Sequence, residues 1–327
     1  MACEIAEMPE AVARLATPDA RRASKSVAAE LRRLSPAALV TVARGSSDHA
    51  ATYLSYAVQS VLGIPVASIG PSIQSVYGKT LEMDGLAAIA ISQSGGSEDI
   101  TALCRSFTGG GGRVIALTNT PNSPLASAAS HVIDIAAGPE NAVAATKSFM
   151  NSVVAGLWLV ADWAGDQHLV DALEALPDRM HKASDSAALR DVEDLLSDAR
   201  QTVVIARGAG LGIAQEVALK LQEVCAIQAL AYSAAEVLHG PSALLNEGYP
   251  VIALTTGAKD GMAQALDQLP RQGARVLALP GRNGTGHGLV DPLLDLQPLY
   301  SLAERLSVRR GYDPDAPPHL KKVTKTL

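Results

Sequence analysis

Three stretches of this chain carry residue types and spacings that could do chemistry. The first is Ser92-Gln93-Ser94-Gly95-Gly96-Ser97, directly after the apolar run Ala87-Ala-Ile-Ala-Ile. Its hydroxyls and amide are hydrogen-bond donors, and its glycines let a ligand approach the backbone closely. A helical pattern starts at Glu98, and a helix N-terminus offers unpaired N–H groups and partial positive charge. Together these would suit a phosphate. Gly45-Ser46-Ser47-Asp48 follows an earlier apolar run and could close the other side. The competing reading is an ordinary serine-rich turn, with Ser97 serving only as an N-cap.

The second stretch is Lys220-Leu-Gln-Glu223, on a helix expected over Ala214 to Val224. Three residues apart, Lys220 and Glu223 share a face, which is either solvated or part of a site. The third is Glu236-Val-Leu-His239-Gly-Pro, which sets a histidine before a turn. A lone histidine is a candidate acid or base near neutral pH, and equally an ordinary surface residue.

These stretches must be positioned by regular elements, and an internal repeat shows which. Val42-Ala-Arg-Gly-Ser-Ser-Asp recurs as Ile205-Ala-Arg-Gly-Ala-Gly-Leu, an offset of 163. Ala88-Ile-Ala-Ile-Ser recurs as Val251-Ile-Ala-Leu-Thr at 163, and Val114-Ile-Ala-Leu-Thr as Val276-Leu-Ala-Leu-Pro at 162. Ordered matches at one spacing imply a tandem duplication. The matched runs are short, non-alternating and rich in Val, Ile and Ala, as strands covered on both faces are. Strands alternating with helices imply parallel sheets. The expected fold is α/β, with two tandem doubly wound, flavodoxin-like parallel sheets. Residues 22–165 form the first domain and 191–310 the second. An N-terminal helix over 1–21, a connecting helix over 166–190 and a tail over 311–327 complete the chain. Ligands of such sheets bind beyond the strands' carboxyl ends, where the serine-rich loop lies. The second copy reads Thr255-Thr-Gly there and lacks the Gln-Ser pair, so the expectation is one ligand loop per chain.

Composition narrows the classes. Hydrophobic residues make up 48 % and charged residues 18 %, as in a globular enzyme. A net charge of −6 and 3 % aromatics argue against a nucleic-acid partner. Cys3, Cys104 and Cys225 form no CxxC or Cys/His ligand pattern, so reduced thiols and no metal are expected. The longest apolar run, Val153 to Ala161, is about half a bilayer crossing, and no signal-peptide core opens the chain. The expectation is a cytoplasmic protein without a membrane partner. No GxGxxG, zinc spacing or Ser-His-Asp order is present, and no cofactor is expected.

Taken together, the motifs resemble the sugar isomerase (SIS) domain family. Within it they are similar to the isomerase half of glucosamine-6-phosphate synthase and to stand-alone SIS-type glucosamine-6-phosphate deaminases. The motifs are Ala43-Arg-Gly-Ser-Ser-Asp, Ser92-Gln-Ser-Gly-Gly-Ser, Ala144-Ala-Thr-Lys-Ser-Phe, Ala218-Leu-Lys-Leu-Gln-Glu, Ala235-Glu-Val-Leu-His-Gly-Pro and the tail Asp313-Pro-Asp-Ala-Pro-Pro-His-Leu-Lys-Lys. The resemblance implies that Ser46, Ser47, Ser92, Gln93, Ser94, Ser97 and Ala144 hold a phosphosugar. It implies that Glu223 is the base moving a proton between C1 and C2, with Lys220 supporting it. It further implies that His239 assists ring opening, from a neighbouring subunit of a homodimer with a shared active site, and that Lys322 meets the open-chain sugar. A single carboxylate can perform such a shift without redox or metal chemistry.

The sequence also departs from that branch. Ala2 stands where the synthase has its nucleophilic cysteine, Cys3 comes one step late, and no glutaminase segment precedes the repeat. Pro318 and Lys321 alter the tail, and Ala145 replaces a family serine. The expected reaction is therefore glucosamine 6-phosphate to fructose 6-phosphate plus ammonia. The alternatives are a glutamine–fructose-6-phosphate aminotransferase-like isomerase, a fructosamine-6-phosphate deglycase or plain aldose–ketose isomerase, and a non-catalytic phosphosugar-sensing module.

Overall fold

A computed structural model describes residues 1–182, 187–257, 259–281 and 284–322. In chain order the elements are α1 (Ala2–Ala6), α2 (Met8–Arg14), α3 (Pro18–Leu34), β1 (Leu39–Val42), α4 (Ser46–Leu62), β2 (Val66–Ser68), α5 (Ser72–Ser75), β3 (Ala87–Ile91) and α6 (Glu98–Gly109). Next come β4 (Arg113–Thr118), α7 (Pro124–Ala128), β5 (His131–Asp134), α8 (Lys147–Ala164), α9 (Gln167–His181) and α10 (Ala187–Leu196). The last are β6 (Gln201–Ala206), α11 (Gly210–Cys225), β7 (Gln228–Ser233), β8 (Pro250–Leu254), α12 (Ala263–Arg271), β9 (Arg275–Leu279) and α13 (Leu296–Arg309). Instead of one helix over 1–21, the chain forms α1 and α2 and then enters α3. Pro9 and Pro18 each stand in the first turn of a new helix, where a missing N–H costs nothing.

The chain forms two compact units. Among the described residues, one comprises 10–140, 147–174 and 321–322; the other comprises those within 1–9, 141–146 and 175–320. The first holds a five-stranded parallel sheet of order β2-β1-β3-β4-β5. The second holds a four-stranded parallel sheet of order β7-β6-β8-β9. The duplication extends to register. Val40 pairs with Ala88 in the first sheet, and Val203 with Val251 in the second, both shifted by the repeat offset.

Hydrophobic burial explains why these segments are strands. β1 and β3 are buried throughout, and around them Val42, Ala90, Leu103, Phe107 and Val114 form one cluster. Val203, Ile205, Val251, Ala253 and Leu269 form its counterpart. Each fully buried Val, Leu, Ile or Phe contributes about 1.5–3 kcal/mol. α8 packs against α3 and α4, and all its residues from Lys147 to Trp163 are buried. Among the described residues, no helix is long and apolar enough to cross a membrane.

In the first sheet β1 is flanked by β2 and β3, so the strand order reverses there. Loops that follow strands on either side of such a reversal open a crevice. Those loops are 43–45 after β1 and 92–97 after β3.

Candidate functional site

The serine-rich loop is shaped by its own backbone. Gly45, the N-cap of α4, has φ +55° and ψ −135°, a combination open in practice only to glycine. Gly95 has φ +60°, and a Cβ there would overlap the side chain of Ser123. The loop is anchored by the Asn119 N–H to Gln93 O at 3.1 Å and the Leu125 N–H to Gly95 O at 3.0 Å. Ser92 Oγ accepts the Gly95 N–H at 3.2 Å, and Ser94 Oγ the Gly96 N–H at 3.3 Å. The turn reading thus holds for both, yet each hydroxyl keeps its proton to donate. Ser97 is the N-cap of α6 but makes no capping bond with its side chain. Ser46, Ser47, Gln93, Ser94 and Ser97 are half-buried and Ser92 is buried.

Two further groups meet at this crevice. Arg44 reaches from the loop after β1 to Asp99 in the first turn of α6, with Nε and Nη2 at 2.7 and 2.6 Å from Oδ2. Burial lifts the Asp48 carboxyl above its ordinary range, with His49 and Arg44 opposing the rise.

The same unit contains Lys322. Its Nζ donates to Glu140 Oε2 at 3.2 Å. Glu140 is fully buried and also accepts the Ser148 N–H at 3.0 Å and the Ser148 hydroxyl at 2.5 Å. The tail lysine is therefore fixed by a carboxylate just before α8.

The other unit holds the remaining candidates. Lys220 and Glu223 form an ion pair on α11. Lys220 is 1 % exposed, whereas Glu223 keeps 23 % of its side chain accessible. Lys220 Nζ also lies 3.5 Å from Glu216 Oε1, which accepts the Tyr300 hydroxyl at 3.1 Å. The solvated-face reading of Lys220 fails, since the face it occupies is packed against α13. His239 ends a 3-10 helix, Glu236–His239, and is exposed. Among the described residues it makes no hydrogen bond or ion pair. Ala144 is buried, directly after three residues whose N–H groups are all bonded. Glu4 accepts the Asn141 and Ala142 N–H groups, and the Val143 N–H donates to Asp315 O at 3.2 Å.

Sequence reasoning pairs Lys220 with Glu223 but omits Glu216, Tyr300, Glu140 and the Arg44–Asp99 link. Glu216 lies four residues before Lys220, a spacing visible in the chain. The others depend on tertiary neighbours. Among the described residues, no group of three His, Cys, Asp or Glu side chains could hold a metal ion.

A sequence model of the SIS domain matches residues 35–161 and 195–285, more than half the chain and one match per sheet. The chain belongs to the SIS domain family. The SIS chain is 34 % identical over 322 residues to the glutamine–fructose-6-phosphate aminotransferase of Symbiobacterium thermophilum, covering 90 % of this chain and 52 % of that enzyme. It thus spans about half the length of the curated relatives it matches. Among solved structures, a Silicibacter pomeroyi protein designated a phosphosugar isomerase superposes with a TM-score of 0.88 at 43 % identity, covering 96 % of this chain and 99 % of that one. The C-terminal domain of the Francisella tularensis glucosamine-fructose-6-phosphate aminotransferase superposes at 0.82 and 25 % identity, covering 96 % and 97 %. The fold is also that of the Thermotoga maritima glucosamine-6-phosphate deaminase, at 0.74 and 23 % identity over 94 % of this chain and all of that one.

Proposed function

We propose that this SIS chain is a phosphosugar isomerase that converts glucosamine 6-phosphate to fructose 6-phosphate and ammonia. The observation that carries the reading is the Lys220–Glu223 pair: an accessible carboxylate whose charge is steadied by a buried ammonium. A sensor of phosphosugars would need the serine-rich loop and no such base.

In the proposed reaction, the open-chain aldose loses its C2 proton to Glu223 and receives one at C1. The product is a 2-imine, and water adds to it and expels ammonia, leaving the ketose. Substrate and one water equal ketose phosphate and one ammonia. A positioned carboxylate contributes roughly 10²- to 10⁴-fold to such a transfer. Lys220 steadies the oxyanion that develops at the adjoining carbon. Phosphate bound by Ser46, Ser47, Ser92, Gln93, Ser94 and Ser97 supplies binding energy remote from the reacting carbons, with Ala144 contributing backbone contact. Lys322 meets the open-chain sugar. His239, exposed and unbonded among the described residues, opens the ring in a second copy of the chain, which makes the working form a homodimer.

Cys104 and Cys225 are buried and their thiols are pushed up to about 12, so neither supplies a thiolate to attack an amide. The likeness to glutamine–fructose-6-phosphate aminotransferases favours a second direction, from ketose to amino-aldose, through the same proton shuttle in reverse.

The test is ammonia release across glucosamine, galactosamine, N-acetylglucosamine and fructosamine 6-phosphates, with Glu223→Gln as control. Glucosamine 6-phosphate is expected to be turned over by the native chain. The variant should bind it normally and lose at least about 10²-fold in kcat. Near-normal turnover by the variant would exclude Glu223 as the base.

A further inference from the structure

A phosphate dianion entering the crevice after β1 and β3 meets an unfavourable charge balance; this inference rests on the phosphosugar reading above. The two loops and the helix turns after them carry three carboxylates, Asp48, Glu98 and Asp99, against one guanidinium, Arg44. Hydroxyls, the Gln93 amide and backbone N–H groups give directional bonds without net charge. A helix terminus adds only about half an elementary charge. Within these segments Arg44 is the one guanidinium and His49, in the first turn of α4, the one imidazole; of the two, arginine is the side chain that carries its charge at every working pH.

Its geometry leaves it available. Nε and Nη2 both converge on a single oxygen, Oδ2 of Asp99, while Asp99 Oδ1 accepts the Ile100 N–H at 2.8 Å. The Asp99 side chain is 1 % exposed, but that of Arg44 remains 45 % exposed. Nη1 has no hydrogen-bond partner among the described residues. The second copy gives an internal comparison. Arg207 occupies the equivalent place, but Met262 stands where Asp99 would be, and Arg207 Nη1 donates to Ser233 Oγ at 3.0 Å. The copy that retains the Ser-Gln loop is the copy whose arginine is held across the crevice with Nη1 unspent.

We propose that Arg44 binds the substrate phosphate: Asp99 fixes its guanidinium across the mouth of the two loops, and its uncommitted N–H groups contact the phosphate oxygens. The charge-assisted bonds of arginine to phosphate are about twice as strong as neutral ones. Arg44 therefore sets the preference for phosphorylated over free sugars.

The experiment is calorimetric titration of the full chain with inorganic phosphate, alongside steady-state kinetics on the turned-over phosphosugar. Arg44→Gln is expected to weaken phosphate binding and raise KM roughly 10- to 100-fold, with kcat changed only a few-fold. Asp99→Asn removes the tie and keeps the charge, so its loss of affinity should be the smaller of the two. Equal losses would make Arg44 a mere tie between loops and overturn the proposal, as would unchanged affinity in Arg44→Gln. Should Arg44→Gln fail to fold, Arg44→Lys answers instead: phosphate affinity within about tenfold of native supports the charge role, and its complete loss overturns it. A native chain that binds no phosphate and turns over no phosphosugar would instead sink the functional reading itself.

Discussion

Replacing Lys220 with methionine tests whether the α11 network is a buried charge system. The substitution keeps side-chain length and removes the ammonium. Glu216, fully buried, is then left charged, with the Tyr300 hydroxyl among its remaining donors. Removing one partner of a buried ion pair costs about 3–5 kcal/mol, because the other charge stays desolvated. For a unit of this size, each kcal/mol lowers the melting temperature by about 2–4 °C, so the expected drop is roughly 6–20 °C. The decisive measurement is a second substitution. Glu216→Gln in the same chain removes the stranded charge, keeps an acceptor for Tyr300, and should restore at least about half of the lost stability. Thermal melts of the native chain, both single variants and the double variant complete the cycle. A Lys220→Met melt within about 2 °C of native, or a double variant less stable than the single, would refute the reasoning.

Other expectations follow from the loop and the thiols. Gly95→Ala sets a Cβ onto Ser123 and forces φ +60° on an L-residue, so phosphate affinity should fall at least about tenfold and the melt should also drop; an unaltered calorimetric titration would contradict the loop geometry. Cys104 and Cys225 should resist alkylation in the folded chain at pH 8, while Cys3, exposed on α1, reacts; mass spectrometry showing three modified thiols before unfolding would contradict their burial. Because both buried thiols stay protonated in the fold up to about 12 while the unfolded chain ionises them near 9, their contribution is intact below pH 9 and declines as pH rises towards 12. Denaturant midpoints rising over that range would reverse the sign.

What the sequence reveals and what it hides follow from distance along the chain. Both sheets are legible because strands covered on both faces leave unbroken runs, and the repeat offset preserves them down to the register of Val40 with Ala88 and Val203 with Val251. The serine-rich loop is legible because it must follow β3. α11 begins at Gly210, earlier than the expected Ala214, since Gly210 and Gly212 read as turn residues but lie buried in the helix. The fifth strand of the first sheet has no counterpart among the described residues of the second, because after β9 the chain enters a 3-10 turn and α13. The Arg44–Asp99 link spans 55 residues and Lys322–Glu140 spans 182; neither spacing is periodic, and only folding brings them together. Tyr300 gives no local sign that it will meet Glu216, 84 residues away.

α8 has a consequence for how the chain is made. A helix buried from Lys147 to Trp163 has no solvent face, and its polar side chains depend on partners already in place. Asn151 donates to the carbonyls of Ala11 and Ile135, and Asp162 receives Arg21 and Ser24. All four of these partners, with the covering helices α3 and α4, lie upstream in the chain. Synthesis begins at the N-terminus, so α8 leaves the ribosome after its cover has been made. The order of elements thus shortens the time for which this solvent-excluded helix is exposed to other nascent chains.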